Sequence, residues 1–431
     1  MRDWTPRLTS YAAILKCAYR ANGLWSRAMA QVEAVVIGAS QAGLAASHEL
    51  KRVGVDHVVL ERACIGGGWK KRWDSFCLVT PNWSAQLPGY PYDSDDPDGF
   101  MPRDEVVSYL ERYARSFDAP VHENVTVTTV HRDVDGFLVD ATADQYRARS
   151  LVLATGAFQQ PYRPSGAGSL PNYLRLFDLD GYSNPDSLPP GDALIIGSGQ
   201  SGCQIAEELH EAGRRVVLAC GRAPWSLRRI GDHDLVWWLV ECGFFDAKAD
   251  ELPESARLLA NIQATGHNGG HDLHFRTLQA LGVTLVGRFI GADENAGYFA
   301  RDLAESVAWG DERYRQLKGA MQNLAKQREF AAPEIPDPEP FVADAPDRLD
   351  LSSFGTVLLT GGFRPDFRSW LPWSDAFDDH GFPYQRDGTS TVVDDLHFVG
   401  MHFLRKRKSG LLCGVGEDAA IVADTIAARR S

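Results

Sequence analysis

Two glycine-rich loops, at 38–43 and 197–202, each stand between a short apolar run and a segment with the composition of a helix. A second apolar run follows each helix, so the order strand, glycine turn, helix, strand occurs twice. This order describes a βαβ unit, in which two parallel strands are joined by a helix that packs on their sheet. Two such units predict an α/β fold with two Rossmann-like dinucleotide-binding domains, the second inserted in the first. The four apolar runs are residues 35–37, 58–60, 194–196 and 216–218.

The first loop has the spacing that a dinucleotide pyrophosphate requires. Gly38 and Gly43, its first and third glycines, permit a tight turn and a close approach of helix to strand. Ser40 replaces the middle glycine and is small enough to leave backbone N–H groups at the helix N-terminus open to an anion. Glu61, at the end of the next strand, can accept ribose hydroxyls and repels a 2′-phosphate, which predicts FAD or NAD. The predicted contacts are Gly38, Ser40, Gln41, Ala42, Gly43, Glu61 and Arg62.

The second loop has all three glycines and differs in the residue that follows its second strand. Arg222 stands where an acidic residue would bind the ribose, and a guanidinium can hold a 2′-phosphate through two parallel hydrogen bonds. Arg228 and Arg229 lie close enough along the chain to assist. A solvated surface cation is the alternative for Arg222, but its position favours NADPH. The predicted contacts are Gly197, Gly199, Gln200, Ser201, Gly202, Arg222 and Arg228.

The pattern between and around the loops predicts the domain boundaries. Residues 1–30 are rich in arginine and poor in acids, which predicts an N-terminal extension, with an organelle presequence as the alternative. Residues 121–142 alternate apolar and polar types around Asp135-Gly136 and predict antiparallel strands. The FAD-binding domain is predicted at 31–158 and 347–431. The NADPH-binding domain is predicted at 159–346, with substrate-site insertions and a proline-rich linker over 332–346.

Composition and charge exclude several other classes of protein. Hydrophobic residues make up 44% of the 431 residues and charged residues 23%, as in ordinary globular domains. The formal net charge of −13 is unfavourable for non-specific binding of nucleic acid. No run approaches the ~18 apolar residues of a membrane-spanning helix. Seven scattered cysteines form no C-x-x-C pair, which excludes a dithiol redox motif and favours a reducing, cytoplasmic location. We predict no bound metal.

Seven ordered segments resemble the flavin-containing monooxygenase superfamily, in particular its bacterial single-component branch near the plant YUCCA enzymes. They follow the order of that family and cover most of residues 35–428. No single segment is specific to the superfamily, whereas the ordered set is. The segments are VVIGASQAGLAASHEL, GGGWKKRWDSFCLVTPNW, LVLATGAF, ALIIGSGQSGCQIAEEL, CGRAPW, TGGFRPD and SGLLCGVGEDAAIVA.

The resemblance implies FAD and NADPH as cofactors and adds further site residues. Asn82, after Thr80-Pro81, is similar to the family asparagine beside the flavin ring, where it would position a C4a-hydroperoxide and the nicotinamide. It is the predicted catalytic residue. The segment 410–420 is similar to the last helix of the family, whose N-terminus faces the flavin pyrimidine carbonyl. The FAD contacts that the resemblance adds are Gly68, Trp69, Thr155, Gly156, Gly400, Leu411 and Leu412.

The activity that the resemblance implies is an NADPH-dependent monooxygenase acting through a C4a-hydroperoxyflavin. Its partners would be molecular oxygen and a small organic substrate, and a homodimer is compatible with the sequence. One alternative is an FAD-dependent reductase, dehydrogenase or oxidase of a small metabolite, and another is a non-catalytic flavoprotein that senses NADPH. Asp178 favours the first alternative, because it stands where the family usually has histidine and would repel the phosphates of NADPH.

Three further groups have two interpretations each. The basic run 405–408 is either a solvated loop or a contact with an anionic cofactor or substrate. The aromatic pairs 237–238 and 244–245 either line an apolar substrate site or belong to the core. The histidine-rich stretch 266–274 lacks the spacing of a metal site and predicts a loop before a helix over 275–282.

Overall fold

Two mainly parallel sheets, one for each glycine loop, form the centre of the molecule. The computed structural model describes residues 29–142, 144–329 and 331–429. The strands of these residues, β1 to β23 in chain order, are Met29–Ile37, His57–Leu60, Gln86–Leu87, Tyr90–Pro91, Val121–His122, Val127–Asp133, Gly136–Ala141, Gln145–Leu153, Gln160–Pro161, Arg175–Asp178, Asp192–Ile196, Val216–Ala219, Arg229–Ile230, His233–Asp234, Thr284–Val286, Phe289–Ala292, Ala296–Phe299, Arg348–Asp350, Phe354–Leu359, Phe363–Arg364, Gln385–Arg386, Thr389–Ser390 and Leu396–Phe398. The α-helices, α1 to α8, are Gln41–Arg52, Gly67–Lys70, Arg103–Ser116, Gln200–Glu211, Leu235–Glu241, Phe275–Leu281, Leu303–Gln327 and Val415–Ala428.

The first sheet carries the first glycine loop at the carboxyl end of β1. Its order is β21-β22-β23-β8-β1-β2-β5, and the β6–β7 hairpin joins it through an antiparallel contact with β8. β1 is parallel to both of its neighbours, with Ile37 opposite Leu60 on one side and Leu153 on the other. The segments that follow these strands therefore emerge together at one edge, where an open parallel sheet binds its ligand.

The second sheet repeats this arrangement around the second glycine loop. Its order is β10-β19-β11-β12-β15, and every pair in it is parallel. β11 lies between β19 and β12, with Ile196 opposite Leu359 and Ala219. All five strands lie in the chain between β8 and β21 of the first sheet. The predicted α/β fold, with two Rossmann-like domains and one inserted in the other, is confirmed.

The predicted domain boundary at residue 346 is placed too early. β19 pairs with β10 and β11, and β18 pairs with β17 in a small antiparallel sheet that also holds β16. The chain returns to the first sheet only at β21. An apolar strand that ends in a glycine turn has the same pattern in either sheet, so the pattern alone could not assign β19.

Both central strands are buried on their two faces. Along β1, Ala34 and Val36 contact one hydrophobic core, whereas Val35 and Ile37 contact another. Residues 193–196 of β11 divide between two cores in the same alternating way. Successive side chains of a strand point to opposite faces, so continuous apolar runs fit a sheet that is covered on both sides.

Most predicted elements occur close to their predicted positions. The hairpin forms between β6 and β7, and residues 332–346 lie outside helices and strands, as the prolines predict. Of the predicted N-terminal extension, residues 1–28 lie outside the described residues. Across residues 29–142, 144–329 and 331–429, no helix combines the length and the apolar composition that crossing a membrane requires.

Candidate functional site

The first glycine loop packs tightly against the end of β8. Gly38 has a φ of +105°, which favours glycine, and a Cβ there would lie 2.9 Å from the carbonyl oxygen of Ala154. A Cβ on Gly43 would lie 1.7 Å from the carbonyl oxygen of Gly38. The loop therefore turns directly into α1, whose first backbone N–H groups have no carbonyl partner within the helix. This cradle fits a pyrophosphate at the start of α1.

Glu61 is fixed beside this loop by two backbone N–H groups. Its Oε2 accepts from Ala39 at 2.8 Å and its Oε1 accepts from Ala63 at 2.9 Å. Each carboxylate oxygen retains a lone pair for a ribose hydroxyl, so the predicted role fits the geometry. Two neighbouring predictions have less support. Arg62 is exposed without a polar partner among the described residues, and a Cβ on Gly68 would meet no atom within 4 Å.

Gln41 joins two other predicted FAD contacts, Ser40 and Trp69, to the C-terminal segment. Its Oε1 accepts from Ser40 Oγ at 2.5 Å and from Trp69 Nε1 at 2.9 Å, and its Nε2 donates to the carbonyl oxygen of Gly410 at 3.2 Å. Gly400 lies equally close, since a Cβ there would be 2.1 Å from the Cβ of Ala42. The C-terminal segment is thus held against the first loop. Its helix α8 begins at Val415, after Leu411 and the buried Leu412.

The chain crosses between the two sheets beside Thr155 and Gly156. Gln159 donates from Nε2 to Thr155 Oγ1 at 2.9 Å and to the carbonyl oxygen of Gly156 at 2.7 Å. Its Oε1 accepts from the backbone N–H of Asp366, after β20 on the returning crossing. Gln159 therefore ties the two crossings together. Sequence reasoning missed it because a lone glutamine after a strand has no distinctive pattern.

Asn82 is buried at 7% exposure and has one amide atom without a partner. Its Nδ2 donates to the carbonyl oxygen of Asp96 at 2.9 Å and lies 3.4 Å from Ser94 Oγ. Its backbone N–H donates to Gly99. Its Oδ1 is buried with no hydrogen bond to a described residue. A buried acceptor without a donor is costly, which fits a ligand N–H or O–H at this position.

The second glycine loop is closed against the end of β19 in the same way. Gly197 has a φ of +118°, and a Cβ on Gly202 would lie 2.0 Å from the carbonyl oxygen of Gly197. Thr360 Oγ1 also donates to that oxygen at 2.7 Å. Among the other predicted contacts, Gln200 donates to Ile262, Ser201 is half-buried, and a Cβ on Gly199 would meet only Ala260, at 3.8 Å.

Arg222 lies at the end of β12, beside the second loop. The backbone N–H of Gly221 donates to Ser198 Oγ at 2.9 Å, which holds this turn against the loop. Arg222 itself is exposed and has no hydrogen bond or ion pair with a described residue. Its guanidinium is therefore free for a phosphate, as the sequence predicts.

Arg228 does not take the predicted role beside Arg222. Its side chain is 2% exposed, its Nε lies 2.9 Å from Asp234 Oδ2, and its Nη1 donates to the carbonyl oxygen of Val79 at 2.8 Å. Its guanidinium lies 4.1 Å from the ring centre of Phe100. Burial lowers the pKa of Arg228 and raises that of Asp234. Arg228 therefore links the second domain to the segment that carries Asn82, and it is closed to a 2′-phosphate.

The other candidate groups have structural partners. Asp178 accepts two hydrogen bonds from Arg163, at 3.0 and 2.7 Å, so a guanidinium offsets its charge. Trp238 is a core residue whose Nε1 donates to the carbonyl oxygen of Ile230. His274 is the N-cap residue of α6, and its side chain accepts from the backbone N–H of Thr277. His271 Nε2 lies 2.8 Å from Glu207 Oε1. Nowhere in the described ranges do three potential metal ligands converge.

Arg72 lies near the two crossings and was missed by sequence reasoning. Its guanidinium lies 5.8 Å from the ring centre of Phe158 and 5.7 Å from that of Phe363, which follow the two crossings. No carboxylate within the described chain forms an ion pair with it, and burial lowers its pKa. The charge of Asp180 offsets part of this effect, and a desolvated guanidinium without an ion-paired carboxylate fits an anionic ligand near the two crossings.

This chain is similar to several known proteins. The family model for pyridine nucleotide-disulphide oxidoreductases matches residues 35–239. An uncharacterized CzcO-like oxidoreductase of Geobacillus kaustophilus is 30% identical over 92% of this chain and 98% of its own. A probable indole-3-pyruvate monooxygenase of Arabidopsis thaliana, YUCCA8, is 30% identical over 91% and 88%. A flavin monooxygenase variant from Stenotrophomonas maltophilia, 22% identical, shares the fold with a TM-score of 0.67 over 94% of this chain and 100% of its own.

The fold and the two closed glycine loops define an oxidoreductase with two dinucleotide sites. Its residues fit FAD in the first domain and NADPH in the second, through the Glu61 carboxylate and the free Arg222 guanidinium respectively. The similarity to two of these relatives extends over 92% and 91% of this chain, which is enough to assign it to a family. It belongs to the flavin-containing monooxygenase superfamily, and the predicted family is confirmed.

Proposed function

We propose that this chain is an FAD-dependent monooxygenase that uses NADPH and molecular oxygen to oxygenate a small organic substrate. The observation that carries the proposal is Asn82, whose Oδ1 is buried without a partner among the described residues, in a chain with two dinucleotide sites. A family member with both sites and this free acceptor has the parts that coupled reduction and oxygenation require. The relatives named as monooxygenases support the same activity.

The chain would hold FAD through the first loop and the segments packed against it. When bound, FAD takes two electrons from NADPH and reacts with oxygen, so the cofactor supplies the chemistry. Glu61 would accept the ribose hydroxyls, and the start of α1 would receive the pyrophosphate. The cluster around Gln41 would fix the C-terminal segment beside the cofactor.

Four further side chains would orient NADPH and the substrate. Arg222 would bind the 2′-phosphate, and Arg72 would offset negative charge where the chain crosses between the domains. Phe158 is 59% exposed beside His402, with the two rings stacked at 5.8 Å, and offers a flat apolar surface to a planar ligand. Asn82 would accept a hydrogen bond from the reacting groups. Arg228 keeps the Asn82 segment in contact with the NADPH domain.

The reductase or oxidase alternative loses its main support in this structure. Asp178 favoured that alternative because an uncompensated carboxylate would repel NADPH phosphates. Its two hydrogen bonds with Arg163 offset the charge, so the substitution is compatible with NADPH binding.

Oxygen labelling tests the proposed activity. FAD-loaded protein is supplied with NADPH and ¹⁸O₂, together with a panel of amines, thioethers, ketones and 2-oxo acids. We expect one acceptor class to give a product with a single ¹⁸O atom and matching NADPH consumption. Peroxide as the sole product with every acceptor would identify an oxidase, and equal turnover without oxygen would identify a reductase.

The nucleotide preference depends on Arg222. We expect kcat/KM for flavin reduction to be higher with NADPH than with NADH. In Arg222→Ala the ratio of these two values should fall roughly ten- to a hundredfold, because one charge-assisted contact is lost. FAD content should stay the same. Arg215→Ala is the matched control, since Arg215 precedes β12 at its opposite end and pairs with Asp192. Equal kcat/KM values for the two nucleotides in the unmodified protein would contradict the assignment.

We also propose a cytoplasmic location, because none of the six described cysteines is disulfide-bonded. The homodimer stays a prediction, which analytical ultracentrifugation of the FAD-loaded chain would test.

A further inference from the structure

The basic run 405–408 divides into three paired cations and one unpaired cation. Arg405 contacts Asp418 at 2.9 Å and Asp387 at 3.1 Å. Lys406 and Lys408 each contact the same two carboxylates, those of Asp246 and Glu417. The two ammonium groups and the two carboxylates form a ladder with no formal net charge. Most of the run is therefore neither solvated nor free for a ligand.

Arg407 is the exception. Its guanidinium lies between two aromatic rings, 4.0 Å from the ring centre of Phe244 and 4.9 Å from that of Phe403. Its Nε is buried without an acceptor, and no carboxylate among the described residues pairs with it. Burial lowers the pKa of Arg407. Rings over the faces of a guanidinium leave its N–H edge as the direction for a hydrogen-bonding partner.

Arg407 lies between the two domains and close to the predicted FAD site. Its backbone N–H donates to Ala247 of the second domain at 3.0 Å, and Ala249 N–H donates to Arg405 at 2.8 Å. Three residues after Arg407, the carbonyl oxygen of Gly410 accepts from Gln41 of the first glycine loop. An anion on Arg407 would thus be held by the segment that borders the cofactor.

We propose that Arg407 binds the carboxylate of an apolar organic acid, which makes such acids the substrate class of the proposed monooxygenase. A carboxylate matches the N–H edge of a guanidinium through two parallel hydrogen bonds. Because the adjacent ladder is neutral, the site has one uncompensated positive charge, which suits a monoanion better than a phosphate dianion. The half-buried Phe244 provides apolar surface for the rest of the molecule. The substrate assignment rests on the proposed function, whereas the binding site does not.

Equilibrium binding to the FAD-loaded full chain tests the site without turnover. The probes are 3-phenylpropanoate and hexanoate, each compared with its neutral amide by isothermal titration calorimetry. We expect both acids to bind more tightly than their amides. Arg407→Gln should weaken acid binding by roughly ten- to a hundredfold and leave amide binding unchanged. Arg407→Lys keeps the charge without the planar donor edge, and should lose only part of the preference.

Lys406→Gln is the matched control, because Lys406 is adjacent to Arg407 and is already paired with Asp246 and Glu417. It should change acid binding by less than about threefold. FAD absorbance and thermal melting verify the folding of each variant, and Arg407→Lys carries the test if Arg407→Gln does not fold. The proposal would be overturned if the acids bind no more tightly than their amides, or if neither the acids nor the amides bind. An Arg407→Gln variant that binds NADP⁺ more weakly while its acid binding is unaltered would also overturn it. Acid binding that depends on Arg407 without any ¹⁸O product would preserve the site and reject the monooxygenase.

Discussion

Gly43→Ala should purify as colourless protein without FAD. A Cβ at this position would lie 1.7 Å from the carbonyl oxygen of Gly38, a backbone atom that cannot rotate away. To admit the methyl group, α1 must move from the end of β1, and the start of α1 is where the pyrophosphate would bind. We therefore expect loss of FAD and of all NADPH oxidation. Absorbance at the flavin maximum, relative to protein absorbance, measures the occupancy.

Two matched glycines separate this effect from general damage. Gly202→Ala meets the same obstacle in the second loop, where the Cβ would lie 2.0 Å from the carbonyl oxygen of Gly197. That variant should keep FAD but fail to be reduced by NADPH. Gly319→Ala, inside α7, would meet no atom within 4 Å and should keep both functions, with a stability gain of about 0.5–1 kcal/mol. A yellow Gly43→Ala protein at full occupancy would show that FAD binds elsewhere.

The parts of the fold that sequence predicts are those encoded by local pattern. Residues 35–37 and 194–196 are apolar at every position, which is typical of strands buried on both faces. In the structure each of these strands contacts one core on each face. The glycines at 38, 43, 197 and 202 carry a steric requirement that any chain with this turn must satisfy. β19 has an equally clear strand pattern, but its sheet depends on a long-range pairing with β10 and β11 that no local pattern encodes.

The charged residues of the site were harder to predict, because a charge acquires its role from its partner. Arg222 and Arg228 are six positions apart and of the same residue type, yet one is exposed and free while the other is buried against Asp234. Arg407 lies among three other cations, which are paired with acids from three other segments of the chain. In each case the deciding partner is set by tertiary contacts. The sequence identified the residues and could not distinguish their pairing.

The structure also narrows what Asn82 can do. The sequence suggests that its amide both donates and accepts hydrogen bonds toward the cofactor. Its Nδ2 is engaged by the carbonyl oxygen of Asp96, so the amide oxygen is the atom left for a ligand. This polarity favours a donor on the ligand side, such as a ring N–H or a hydroxyl. It also means that the loop around Asp96 fixes the rotamer of Asn82.

Asn82→Leu should separate flavin reduction from oxygenation. Leucine is similar in volume but removes the buried acceptor. We expect this loss to raise the free-energy barrier of the step at which the acceptor acts by about 3 kcal/mol, which slows that step roughly a hundredfold. We expect the rate of flavin reduction by NADPH to change by only a few fold, while peroxide becomes the main product and oxygenated product falls. Stopped-flow absorbance measures reduction, and a peroxidase-coupled assay measures peroxide per NADPH consumed.

Ser94→Ala is the control for Asn82→Leu, because it leaves Oδ1 in place. It removes the 3.4 Å contact with Nδ2 and the two hydrogen bonds between Ser94 Oγ and the backbone of Asp96. Its coupling of NADPH to oxygenated product should equal that of the unmodified chain. If Asn82→Leu instead abolishes flavin reduction and leaves the peroxide yield unchanged, Oδ1 orients the nicotinamide rather than the oxygen chemistry. The same buried acceptor would then serve hydride transfer, and a reductase would be the better assignment for this chain.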